Sequence, residues 1–127
     1  RAAVNDILVV KKDLNTDIRN LSKGFRIGTS SKRRSEQAML LNHNIKIVPI
    51  RGNVLTRIAK IFSGDTDGVI LSRAGLDRLL ADTNCAGDCD KLLQKVNITD
   101  IKETDILRHL HREYFADSMR LIIYLKF

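Results

Sequence analysis

The feature that most constrains this chain is a rhythm in its first 80 residues, where short apolar runs alternate with amphipathic stretches. Ile7-Leu8-Val9-Val10, Phe25-Arg26-Ile27-Gly28-Thr29, Ile45-Lys46-Ile47-Val48-Pro49-Ile50 and Val69-Ile70-Leu71 are too short for helices and apolar enough for buried strands. A turn at Lys23-Gly24 leads into the second run, and Gly64 and Gly68 mark the approach to the fourth. Pro49 falls near the end of the third, where its missing donor matters least. Between these runs the spacing is helical. Residues 35–41 present Ala38 and Leu41 on one face, and residues 54–62 present Val54, Ile58, Ile61 and Phe62. Leu76, Leu79 and Leu80 mark a short helix over residues 75–80. Strands buried on both faces, alternating with helices, predict an α/β domain with a mostly parallel sheet and flanking helices. A length of 127 residues allows one such domain with a real core.

Past residue 81 the pattern weakens. Residues 82–95 are polar and read as a surface loop or loose helix, residues 103–114 as a helix, and Leu121-Ile122-Ile123-Tyr124-Leu125 as a last strand. There is no internal repeat. Hydrophobic residues at 43% and charged residues at 29% place the chain among folded domains rather than disordered or low-complexity ones. No apolar run is long enough to span a membrane, and no apolar region follows the first charge as in a signal peptide. The chain starts at Arg1 rather than Met, which reads as a processed, trimmed or partial chain. Cys85 and Cys89 form a lone C-x-x-x-C pair, and His109 and His111 downstream lack the usual zinc spacing. Reduced thiols and no metal are expected, in cytoplasm or in an organelle stroma or matrix.

The formal charge of +7 is uneven. Residues 20–80 carry eleven basic and four acidic side chains, whereas residues 82–105 carry three and six. A local basic field attracts a polyanion: nucleic acid, a phosphorylated ligand or a polycarboxylate. In parallel sheets ligands gather beyond the carboxyl ends of the strands, which points to the loops after Ile27, Ile50 and Leu71. Each loop carries arginine. Gly28-Thr29-Ser30-Ser31-Lys32-Arg33-Arg34 combines a glycine for close approach, hydroxyls for capping and two guanidinium forks. Arg51-Gly52-Asn53-Val54-Leu55-Thr56-Arg57 places Asn53 as a helix cap with an arginine on either side. Leu71-Ser72-Arg73-Ala74-Gly75-Leu76-Asp77-Arg78 repeats the theme. Three such turns read as one converging anion site; the alternative is three ordinary caps with solvated basic turns. Neither a P-loop nor a dinucleotide fingerprint is present. Asp65, Asp67 and Asp77 have no obvious partner, and His43, His109 and His111 are scattered, so a binding surface is legible and a catalytic centre is not.

Gly-Thr-Ser-Ser-x-Arg-Arg at 28–34, Val-Pro-Ile-Arg-Gly-Asn-Val-x-Thr-Arg at 48–57 and Ile-Leu-x-x-Ala-Gly-Leu-x-Arg-Leu at 70–79 resemble porphobilinogen deaminase, also called hydroxymethylbilane synthase. The blocks keep that family's order and spacing over residues 1–80, and Asp6 and Val9 fit the stretch before them. The resemblance implies a domain like those of periplasmic binding proteins, the second of three. It also implies a covalent dipyrromethane cofactor and polymerisation of four porphobilinogens to hydroxymethylbilane with release of ammonia. By the same resemblance Thr29, Ser30, Ser31, Arg33, Arg34, Arg51 and Gly52 would hold cofactor, and Arg57 and Arg78 would hold substrate, through pyrrole acetate and propionate groups. The partners implied are small pyrrole polycarboxylates, with neither nucleic acid nor membrane, for a monomer joined to two further domains. The catalytic aspartate and the cofactor-bearing cysteine belong to the family's other domains, and Cys85 and Cys89 lack that cysteine's Gly-x-Cys context. Ser72-Arg73 replaces a small apolar pair, and residues 82–105 look like a divergent insertion. Phe115-Ala116-Asp117-Ser118-Met119-Arg120 stands where a Pro-Ala-x-Gly-Gln-Gly hinge is usual, ahead of a return strand at 120–127. The chain by itself is therefore not expected to turn over. Two other classes remain open on charge alone: a basic nucleic-acid-binding module, disfavoured by few aromatics for stacking, and a non-catalytic small-anion receptor.

Overall fold

The computed structural model describes residues 5–14, 16–81, 86–101 and 106–108. Five strands form one sheet in the order β3-β2-β4-β1-β5: β1 (Asp6–Lys11), β2 (Arg26–Gly28), β3 (Lys46–Val48), β4 (Gly68–Ser72) and β5 (Val96–Ile101). Helices α1 (Lys32–Leu41), α2 (Val54–Ser63), α3 (Arg73–Ala81) and α4 (Ala86–Leu93) flank it. The four strands expected within the first 80 residues all form. β2 runs parallel to β3 and β4, whereas β1 is antiparallel to both β4 and β5. Four strands therefore point one way and β1 alone points back.

Alternation along β1 and β4 divides the core into two layers. Leu8, Val10 and Ile70 face α1, packing with Ile27, Ala38 and Leu41. Ile7, Val9, Val69 and Leu71 face the other way, against Ile58 and Ile61 of α2 and Leu76 of α3. Both central strands are thus apolar at every inward position on both faces, which is why they read as unbroken hydrophobic runs.

Several sequence expectations need adjustment. The helix expected over 75–80 begins at Arg73, directly off β4, because Ser72 Oγ accepts from the Gly75 amide at 3.0 Å and caps the turn. The polar stretch 82–95 holds α4, anchored by a buried Cys89. β5 was not anticipated. Val96 and Ile98 alternate with Asn97 and Thr99, a weak period-two signal that Asp100 interrupts and that leaves Ile101 on the other face. The strand pairs with the full length of β1 and so closes the sheet. Asp67 is not without a partner: Arg26 grips it through Nε at 3.2 Å and Nη2 at 3.0 Å, and the Arg26 amide donates to it at 2.9 Å. Cys85, His109, His111, most of the 103–114 helix and the 121–125 strand lie outside the described residues. Among the described residues no helix is long and apolar enough to cross a membrane, and no group of three or more His, Cys, Asp or Glu side chains could hold a metal ion.

The Arg26–Asp67 pair joins the starts of β2 and β4. Hydrogen bonding from Arg26 is the main cause that lowers the Asp67 pKa. A carboxylate depressed in the folded state stabilises it fully above the ordinary carboxylate range, and that stabilisation is lost as pH falls through the lowered value. Asp67→Asn is therefore expected to lower stability near neutrality. Its deficit relative to the parent should shrink only as pH falls below the ordinary carboxylate range, toward the lowered value at which Asp67 of the folded chain gains its proton. Urea midpoints at several pH values measure this, and a deficit independent of pH would assign the loss to packing.

Candidate functional site: an arginine rim at one end of the sheet

Strand direction decides what meets at this edge. The carboxyl ends of β2, β3 and β4 lie together, and because β1 runs backwards its first residue, Asp6, sits beside Ser72 and Ile101 at the same edge. The turns after β2, β3 and β4 therefore open on one rim, as the sequence led us to expect.

The first turn is tightly tied. Thr29 is buried; its amide donates to Val48 O at 3.0 Å and its Oγ1 accepts from the Ser31 amide at 3.2 Å. Ser31 caps α1, accepting from the Arg34 amide at 3.3 Å. Ser30 Oγ donates to Ile50 O at 2.6 Å and accepts from Ile50 N at 3.0 Å, so one hydroxyl fastens the first turn to the second. Ser30→Ala leaves both polar groups of a buried residue without that partner. We expect a loss of about 1–3 kcal/mol in urea unfolding.

The first turn of α1 contains no acidic residue and opens with Lys32-Arg33-Arg34. Cations at a helix N-terminus oppose the macrodipole, so this helix start is electrostatically incomplete by itself. Asp6 completes it. Arg33 Nη2 donates to Asp6 Oδ2 at 3.1 Å, and Arg34 Nε donates to Asp6 Oδ1 at 3.0 Å. The Asp6 side chain is 8% exposed, and a carboxylate so buried is tolerable only with such partners. Arg34 is also largely enclosed at 21%, but Arg33 is 48% exposed and presents its outer edge to solvent. Arg33 Nη1 further donates to Gln37 Oε1 at 3.1 Å.

The second turn is shaped by Gly52, whose φ of 113° is open to glycine and strained for other residues. Asn53 caps α2 by accepting from the Thr56 amide at 2.8 Å. Arg57 Nε donates to Gly52 O at 2.8 Å, and Lys60 Nζ donates to Arg51 O at 3.1 Å. Both bonds fix the loop and bring two cations to it. The Arg51 side chain is exposed. At the third turn Arg73 Nη2 is bound to Asp100 Oδ1 at 2.7 Å, and Asn5 donates to the same oxygen at 2.7 Å. Arg78 lies exposed further along α3 and shares no hydrogen bond or ion pair with the rim among the described residues. Arg51, Arg57 and Arg78 have no carboxylate partner among the described residues, whereas Arg33, Arg34 and Arg73 do.

The structure thus joins Thr29, Ser30, Ser31, Arg33 and Arg34 in one corner, and Arg51, Gly52 and Arg57 in the adjoining loop. Two members escape sequence reasoning, Asp6 and Gln37. Asp6 was legible only as part of the family's lead-in stretch, with nothing to link it to the arginines, and Gln37 had only its spacing of four from Arg33. A depression of about 590 Å³ bounded by Lys11, Lys23 and Phe25 lies at the opposite end of the sheet and contains none of these residues.

The fold is an α/β domain of the kind found in solute receptors. An L-cystine solute receptor of Neisseria gonorrhoeae superposes over 97% of this chain and 52% of its own, with a TM-score of 0.51 at 15% identity. A chain from the glutathione import system of Streptococcus mutans, which acts via GshT and the cystine ABC importer TcyBC, covers 92% and 56% with a TM-score of 0.53 at 14% identity. These likenesses concern the fold alone. The family model for the dipyromethane cofactor binding domain of porphobilinogen deaminase matches residues 1–101, a stretch that includes α4 and β5. The chain belongs to the porphobilinogen deaminase family. Porphobilinogen deaminase of Clostridium perfringens is 62% identical over 60 residues, covering 47% of this chain and 21% of that protein. The enzyme of Alkaliphilus metalliredigens is 51% identical over 74 residues, covering 58% and 23%, and that of Limosilactobacillus reuteri 46% over 82 residues, covering 65% and 27%. The chain thus matches about a quarter of the length of these curated relatives.

The residues present fit a polycarboxylated cofactor. Guanidinium groups that still face solvent and a helix N-terminus without its own acid both favour bound oxygen anions.

Proposed function

We propose that this chain is the cofactor- and substrate-binding domain of a hydroxymethylbilane synthase, and that its rim holds the acetate and propionate groups of dipyrromethane and of the growing pyrrole chain. One observation carries the reading: an α1 N-terminus with no acid of its own bears two arginines that converge on a single carboxylate, beside a loop whose arginines have none. Each pyrrole added to the chain brings two more carboxylates, so a rim of forked cations suits ligands of growing negative charge.

In this reading Arg33 and Arg34, with the Ser31 cap and the amides around it, hold cofactor carboxylates, aided by Arg51 and the backbone of Gly52. Arg57 takes substrate carboxylates from the adjoining loop, with Arg78 further out on α3. The cofactor, when bound, supplies the primer on which pyrrole units are joined. This chain's residues bind and orient, and the acid that moves protons and the cysteine that carries the cofactor lie outside it. The partners are small pyrrole polycarboxylates, and the setting is the cytoplasm or an organelle stroma or matrix.

The test is a calorimetric titration with a dipyrromethane bearing two acetates and two propionates, with a short DNA duplex at equal ionic strength as control. Saturable one-site binding of the dipyrromethane, unmatched by the duplex, is expected. Binding of the duplex alone would transfer the rim to a nucleic-acid partner. Binding of neither would remove this chain's independent role in holding the cofactor.

A further inference from the structure

Asp6 is the one carboxylate that Arg33 and Arg34 share among the described residues. Its two oxygens are divided between the two arginines, at 3.1 and 3.0 Å. The arginines differ in freedom. Arg34 is enclosed and fixed, while Arg33 is half exposed and tethered by two acceptors, Asp6 Oδ2 and Gln37 Oε1. If Arg33 turns outward to a ligand, Asp6 loses one of its two cations in a setting where an unpaired oxygen is costly. The neighbouring amide offers a replacement. Gln37 is 4% exposed, its Nε2 is buried without an acceptor, and it shares a small pocket with Asp6 and Arg34, closed off by Ala38, Ile70 and Ile101. A buried donor left unused beside a carboxylate about to lose a partner forms a pair with two arrangements.

We propose that Asp6 is an internal competitor for Arg33 at the rim: a carboxylate that retains Arg33 until a ligand carrying several carboxylates draws it away, with Gln37 the donor that then receives Asp6. This rests on the reading of the rim as a pyrrole-carboxylate site. A ligand with one carboxylate exchanges one ion pair for another and gains little. A ligand with four also reaches Arg51 and Arg57, and those added contacts offset the release of Arg33. The device sets an affinity threshold, which the added contacts of a polycarboxylate pass and a simple carboxylate does not.

The experiment compares pyrrole-3-acetate with the tetracarboxylated dipyrromethane on the parent chain, Asp6→Asn and Gln37→Glu, by calorimetry with thermal melts alongside. Asp6→Asn removes the internal competitor. It is expected to tighten both ligands about 5- to 10-fold, because releasing Arg33 costs the same whichever ligand draws it out. Gln37→Glu keeps the acceptor for Arg33 but replaces the donor, and should weaken the tetraacid about 10-fold. A purely structural Asp6 would instead weaken both ligands together, and that result overturns the proposal. Should Asp6→Asn fail to fold, the parent chain still decides. In ¹⁵N spectra of its arginine side chains the Arg33 Nε–H resonance is expected to move on saturation with the tetraacid while that of Arg34 stays. An unmoved Arg33 with ligand bound overturns the inference and leaves the proposed function standing. A tetraacid that does not bind the parent chain overturns both.

Discussion

Arg33→Leu is expected to lower affinity for a tetracarboxylated dipyrromethane by about 2–3 kcal/mol, roughly 30- to 150-fold, with little effect on folding. The asymmetry follows from exposure. Arg33 is the outward-facing fork, and Asp6 retains Arg34 when Arg33 is gone. Arg34→Leu behaves differently. It removes the enclosed partner, leaves Asp6 with the half-exposed Arg33 alone and takes apolar stem from beside Ala38 and Ile70. That variant should lose about 3 kcal/mol or more of stability as well as binding. Calorimetry and urea unfolding on the two variants, side by side, separate a ligand contact from a structural one. Equal effects on stability would contradict the division of labour, and unchanged affinity in Arg33→Leu would remove the rim from ligand binding.

Gly52→Ala is expected to destabilise the chain by about 2–3 kcal/mol. Two costs combine. A φ of 113° is strained for alanine, and a Cβ built on Gly52 would lie 2.7 Å from Thr56 Cγ2 and 2.9 Å from Thr56 Cβ. Thr56 cannot retreat freely, because its amide is held by the Asn53 cap at 2.8 Å. Relief must therefore shift the start of α2 or the Gly52 carbonyl that positions Arg57. A Gly52→Ala/Thr56→Ala chain should recover only part of the stability, since the clash is eased and the backbone strain stays. Gly64→Ala is the contrast: its φ is 90° and nothing lies within 4 Å of the added methyl, so only the backbone cost of about 1 kcal/mol applies. Urea midpoints of the three chains test the ranking, and a Gly52→Ala midpoint equal to that of Gly64→Ala would show that Thr56 yields freely.

Much of the architecture was legible because it is local. Apolar periods fixed four strands and the faces of α1 and α2, and the Asn53 cap could be named, with Ser31 within a capping run of hydroxyls, because a cap bonds within its own helical turn. The family resemblance rests on the same contiguous blocks, which is why it emerged before any contact was known. The region after residue 81 was less legible, since β5 has weak alternation and gains its place only by pairing with β1.

The sequence alone therefore determined that this is an α/β domain and that three turns rich in arginine follow three of its strands. Only the tertiary structure decided that β1 runs backwards, that Asp6 consequently reaches the rim, and that it takes Arg33 and Arg34 from 27 and 28 residues away. It also decided which positive charges already have partners: Arg26 with Asp67 and Arg73 with Asp100. The physical reason is range. Periodicity and capping act over a few residues of backbone, whereas strand direction and charge pairing depend on where distant segments meet once both faces of the sheet are buried.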